Sequence, residues 1–123
     1  MGHEIRSYRD LVAWRLAVDA SVAVYRVTER FPDHERYGLT QQLRRAAVSI
    51  PSNVAEGWGR GASQDNHRFL RMARGSLYEV ETQLVIAGKL GYLERETYKD
   101  LQINLEELGR VLAGLIRSVE QSA

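Results

Sequence analysis

His67, Arg71, Arg74 and Tyr78 recur at i, i+4, i+7 and i+11, which sets them on one stripe of a helix, with Arg68 beside it. Guanidinium groups bind phosphate oxygens, and a tyrosine ring stacks on an unpaired base, so the stripe has the make-up of an RNA footprint. The alternative is a solvated helix face with Tyr78 at a packing seam. Arg44 and Arg45 are adjacent and point about 100° apart on a helix, so one flat ligand does not meet both equally. Arg45 shares its face with Ser49, Ser52, Asn53 and Glu56. That face offers donors to phosphate, or else Arg45 and Glu56 each pair with a charge on another helix or subunit.

Other chemistry finds little support. Glu79 and Glu81 are two apart and diverge on a helix, and Glu56 has no carboxylate near it in sequence. His3, His34 and His67 lack metal-ligand spacing. Ser49, Ser52 and Ser76 carry no nucleophile signature. Gly57, Gly59 and Gly61 follow no strand and form no phosphate-binding loop. The absence of cysteine removes disulfides, thiolates and Cys-ligated zinc. The expectation is a protein that is not an enzyme and holds no cofactor or metal.

Charge is distributed unevenly behind a net +1. Residues 1–36 balance six arginines against six acids, residues 37–75 carry six arginines against Glu56 and Asp65, and residues 76–123 carry five basic and eight acidic groups. A basic middle favours an anionic partner. Its arginines pairing with acids of the last helix is the competing reading. The start, MGHEIRSYRD, lacks an apolar signal core, and no stretch is apolar for long enough to span a bilayer. A soluble, cytoplasmic protein with no membrane partner is expected.

Four helical segments position these residues, within the single domain expected of 123 residues. The first spans about 7–30, with Ser7 and Asp10 as a capping box. It is apolar around most of its circumference, more than one packing face requires, which points to contact with another subunit or a partner, a central position inside the monomer being the alternative. The second spans about 38–60. Leu39, Leu43, Ala46, Ala47, Ile50, Val54 and Trp58 form its core face, and Pro51 crowds the carbonyl of Ala47, predicting a kink or a break. The third spans about 63–90, capped by Ser63 and stopped by Gly91, with Leu70, Ala73, Leu77, Val80, Leu84 and Ala87 inward. Gly57 and Gly75 are expected to allow close helix approach. The fourth spans about 94–120, with Tyr98, Leu101, Leu105, Leu108, Leu112, Leu115 and Val119 as its seam. Short connections make neighbours antiparallel, so the expected fold is an all-α, up-down-up-down four-helix bundle.

Three stretches, YRDLVAW (8–14), FPDHERYGLTQQLRRAAVSIPSNVAEGWGRG (31–61) and FLRMARGSLYEVETQL (69–84), resemble the family of four-helix-bundle proteins encoded in bacterial 23S ribosomal RNA intervening sequences. That family is similar in turn to the accessory protein of diversity-generating retroelements. The resemblance covers about residues 7–120 and implies a ring-shaped homopentamer of four-helix bundles. The retroelement relative is basic and binds nucleic acid and a reverse transcriptase, whereas this chain is nearly neutral. Together these readings point to a self-assembling module that binds RNA or DNA through Arg44, Arg45, Arg68, Arg71 and Arg74. The rival is a scaffold or adaptor that recognises a protein through its apolar first helix or the surface of the ring, without binding nucleic acid.

Overall fold

The computed structural model describes residues 4–61 and 63–122, with the side chains of residues 63 and 122 undescribed. His3 therefore lies outside the described residues, as does the side chain of Ser63. Four α-helices carry the chain: α1 Val12–Thr28, α2 Leu39–Arg60, α3 Ser63–Lys89 and α4 Arg95–Ser122, with no strand among the described residues. Packing runs in a cycle, α1 on α2, α2 on α3, α3 on α4 and α4 on α1, as expected of antiparallel neighbours. The fold is an all-α four-helix bundle. No helix among the described residues is long and apolar enough to cross a membrane.

The first helix starts later than its sequence suggests. Ser7 and Asp10 do form a capping box, but it closes a single 3-10 turn, Tyr8–Asp10. Leu11 is then extended (ψ 127°), and α1 begins at Val12. The two acceptors of the box are used up on one turn: the Ser7 hydroxyl accepts from the Arg9 N–H at 3.1 Å, and the Asp10 carboxylate takes the N–H groups of Arg6 and Ser7 at 2.9 and 3.2 Å. Those two bonds, the Arg6 one first, hold the Asp10 carboxyl below its ordinary value.

Pro51 does not break α2, which is continuous from Leu39 to Arg60. A proline has no N–H for the carbonyl four residues back, so Ala47 O loses its helical donor in a buried setting. Ser21 of α1 fills the gap. Its hydroxyl lies 2.9 Å from Ala47 O and 2.9 Å from Ala17 O, so its one proton is shared between two carbonyls. This bond ties α1 to α2 at the point where α2 is weakest.

Inside the bundle, all six residues of the α3 stripe are buried. On the other helices, Leu39 and Tyr98 at the ends of their stripes are only half-buried, and two further positions differ from expectation. On α2, Trp58 turns outward and Gly57 takes its layer, where a Cβ would stand 2.8 Å from Asn66 Oδ1 and 3.1 Å from Phe69 Cβ. On α4, Ile116 is buried at 3% exposure while Leu115 is only half-buried. Gly75 also differs: nothing lies within 4 Å of a Cβ built there, so it mediates no close approach within the chain. An exposed glycine in a helix interior costs backbone entropy without return. Gly75→Ala is therefore expected to raise stability by about 0.5–1 kcal/mol. An unchanged or lower melting temperature would show that Gly75 is held by a contact outside the single chain.

Polar groups fasten the ends. Glu35 precedes α2 and accepts from the Leu39 N–H at 3.0 Å, while its other oxygen accepts from the Tyr92 hydroxyl at 2.8 Å. The Leu39 bond first, and then the Tyr92 one, pull the Glu35 carboxyl below its usual range, and the bond to Glu35 pushes the Tyr92 phenol up. At the far end of α3, Gly91 (φ +81°) forms a Schellman turn: its N–H donates to Gly88 O at 3.1 Å, and Tyr92 N–H donates to Ala87 O at 2.9 Å.

Candidate nucleic-acid interface

The α2–α3 pair positions the five arginines. Its register is fixed by Ser49 and Ser76, whose hydroxyls meet at 2.7 Å, and by the Asn53 side-chain amide, which donates to Ser49 O and Oγ at 2.8 and 2.9 Å. Farther along, the Gln83 amide reaches Gln42 at 3.4 Å. Small side chains and short hydrogen bonds bring the two helices close and leave the longer arginines at the edges of the contact.

The five arginines fall into two kinds. Arg44 is half-buried and committed within the chain. Its Nε donates to Thr28 Oγ1 at 2.8 Å, an Nη donates to Tyr25 O at 3.3 Å, and the guanidinium lies 4.6 Å from the centre of the Tyr25 ring. It thus places a cation at the C-terminal end of α1, where the helix dipole is negative, and adds a second donor to the Tyr25 carbonyl, which also accepts from the Glu29 N–H at 3.2 Å. Arg68 lies 3.8 Å from Asp65 and 4.8 Å from the centre of the Phe69 ring, with Arg60 also over that ring at 5.0 Å. The other three are unopposed: Arg45 and Arg71 are exposed, Arg74 is half-buried, and none has a carboxylate within 4.0 Å among the described residues.

His67 leaves the stripe on which its spacing set it. It turns toward α4, where Nε2 comes within 3.2 Å of the Glu120 carboxylate without the alignment of a hydrogen bond. Arg71, Arg74 and Tyr78 continue without it, and Tyr78 is 57% exposed, so its ring is outside the packing seam. Among the described residues, no arginine of the basic middle pairs with an acid of α4. On the side where α3 meets α4, burial, and then the nearby Glu106, push the Glu81 carboxyl up.

A groove that sequence spacing does not reveal opens beside Arg45. It holds about 590 Å³ and is lined by Arg36, Arg44, Arg45, Tyr25 and Tyr37 among others, with no carboxylate in its wall. Arg36 and Tyr37 belong to the connection before α2, where helical periodicity has no reach. The only sequence signal for them is an Arg-Tyr pair just ahead of Gly38. Arg71 and Arg74 lie outside this groove.

Comparison with known proteins settles the lineage of this arrangement. The model of the 23S rRNA-intervening sequence protein family matches residues 9–114. The chain belongs to that family. A crystal structure of a protein of unknown function from the S23 ribosomal protein family of Bacteroides thetaiotaomicron has the same fold, with a TM-score of 0.76 at 20% identity over 85% of this chain and 98% of that one. No curated protein matches the sequence. Within the intervening-sequence family fold, then, the α2 and α3 arginines are surface features of a four-helix bundle.

Proposed function

We propose that this intervening-sequence family protein is a non-enzymatic, self-assembling four-helix bundle that binds RNA or DNA through its α2 and α3 arginines. The observation that carries the reading is the unopposed charge of Arg45, Arg71 and Arg74, none of which meets a carboxylate within 4.0 Å among the described residues. Unpaired surface guanidiniums held on rigid helices suit contacts to phosphate. Repetition of the basic face around a ring, with a pentamer as the assembly, would strengthen its field well beyond that of one copy. A cytoplasmic setting, where RNA is at hand, belongs to this proposal.

A second reading rests on one specific surface. Val18, Val22 and Tyr25 of α1 and Val48 and Pro51 of α2 line an open apolar depression of about 450 Å³. Such a strip suits a second copy of the chain or a protein partner. In the first reading it serves assembly; in the second it is the recognition surface itself, and the protein is a scaffold.

A mobility-shift titration with a structured RNA at low salt separates the two. Wild type is expected to retard the RNA, and the triple variant Arg45→Ala, Arg71→Ala, Arg74→Ala is expected to lose the shift while keeping its helical circular dichroism. A shift of equal strength in the triple variant, or none in the wild type, would sink the nucleic-acid reading.

A further inference from the structure

We infer that the groove between the C-terminal end of α1 and the start of α2 is a seat for single-stranded nucleic acid, with phosphates on Arg36 and Arg45 and a base stacked on Tyr37. This rests on the nucleic-acid reading above and adds a site that lies apart from Arg71 and Arg74.

Charge comes first. Three guanidiniums line the groove and no carboxylate does. Its polar lining otherwise consists of the neutral groups of Thr40, Gln41 and Ser49 and the tyrosine hydroxyls. A wall with cations and without anions favours a ligand that brings its own negative charge. At about 590 Å³ the space is of the size that small-ligand clefts have.

Order within the groove points the same way. Arg44 is fixed by Thr28, by the Tyr25 carbonyl and by the Tyr25 ring, so its guanidinium is partly satisfied and serves as a standing positive charge in the floor. Arg45 has no such ties, Arg36 has only the ring of its neighbour Tyr37, and neither has an ion pair within 4.0 Å among the described residues. They are the groups free to bind phosphate oxygens.

Tyr37 supplies the base preference. It is 82% exposed, the most exposed large side chain among those of its class described, and it contributes nothing to the core. The Arg36 guanidinium lies 5.9 Å from its ring centre, which keeps a cation beside the ring. An aromatic ring held in solvent next to phosphate-binding groups suits a stacked base. In a duplex the base faces are already stacked on one another, so the ring finds a face only on an unpaired stretch. An acidic peptide would satisfy the arginines but would leave Tyr37 without a role.

The test is fluorescence anisotropy with a labelled oligoadenylate strand, with the same strand annealed to its complement, and with polyphosphate and polyglutamate as competitors. The variants are Tyr37→Ala, Tyr37→Phe and Arg36→Ala, each compared with wild type by size-exclusion elution. Tyr37→Ala is expected to weaken the single strand by about 5- to 150-fold, the effect of losing one stacked base. Tyr37→Phe should bind nearly as wild type does, because it keeps the ring. Competition by polyphosphate should be the same in wild type and Tyr37→Ala, and weaker in Arg36→Ala. The groove assignment is overturned if Tyr37→Ala binds the strand like wild type, if polyglutamate displaces the strand as well as polyphosphate does, or if Tyr37→Ala elutes as a smaller species, which would make the groove a subunit contact. If in that case Arg71→Ala with Arg74→Ala still abolishes binding, the nucleic-acid reading stands and only the groove falls. If wild type binds neither strand nor duplex, both fall.

Discussion

Ile116→Ala is expected to destabilise the protein by about 2–5 kcal/mol, the usual cost of emptying a buried aliphatic site. Leu115→Ala should cost only about 1 kcal/mol, since a half-buried side chain loses less on truncation. The contrast matters more than either value. Ile116 is 3% exposed and belongs to the central cluster, whereas Leu115 packs at its edge. On a helical wheel the two lie about 50° to either side of the seam drawn through Leu101, Leu105, Leu108, Leu112 and Val119. Periodicity alone therefore cannot choose between them. The choice belongs to the packing of the neighbouring helices, since α4 fits between α1 and α3. Chemical denaturation of the two variants measures it directly; equal losses, or a larger loss for Leu115→Ala, would show that α4 is rotated relative to this description.

Ser21→Ala should cost about 1–3 kcal/mol, because it leaves the Ala47 carbonyl buried without a donor. Pro51→Ala restores a backbone N–H four residues after Ala47 and so supplies the missing donor by the ordinary helical route. In that background Ser21→Ala should be nearly neutral. A double-mutant cycle therefore reads the pairing itself, with a coupling expected within the range of about 0.5–3 kcal/mol seen for residues that share a partner. Additive effects of the two substitutions would mean that Ser21 does not serve the carbonyl that Pro51 leaves free.

These two cases show where the sequence is legible and where it stops. The four helices and the inward stripe of α3 follow from a repeat of 3.6 residues, and the structure buries all six stripe positions. Pro51 announces that Ala47 loses a donor. What replaces that donor sits 26 residues from Ala47 on another helix, and no local rule points to it. The same limit holds for His67, which has the spacing of the basic stripe but turns toward Glu120, 53 residues away, and for Arg44, which closes the end of α1. Gly75 shows the opposite limit: small size permits close approach but does not create it, and within the chain nothing lies within 4 Å of a Cβ built there. The capping box at Ser7 was legible as a motif but not as to what it caps.

The candidate interface divides along similar lines. The excess of arginine over residues 37–75 is visible by counting. Which of them remain unopposed is a matter of three-dimensional neighbours: Arg44 and Arg68 are drawn into contacts within the chain, while Arg45, Arg71 and Arg74 are left facing outward or half-buried without an acid. Arg36 and Tyr37 escape notice in sequence because they sit in a connection, and they gain meaning only from the groove that α1 and α2 form around them.

The central claim is that these free guanidiniums bind phosphates, and the most direct measurement is the affinity of the wild type for a structured RNA across a range of monovalent salt. The logarithm of the binding constant should fall linearly with the logarithm of salt concentration, since phosphate neutralisation releases counterions. Removing Arg45, Arg71 and Arg74 together should reduce the steepness by about 2–3 if each touches a phosphate. An affinity that does not change with salt, or no binding at low salt from a folded protein, would contradict the claim and leave the apolar strip of α1 and α2 as the surface by which this protein recognises its partners.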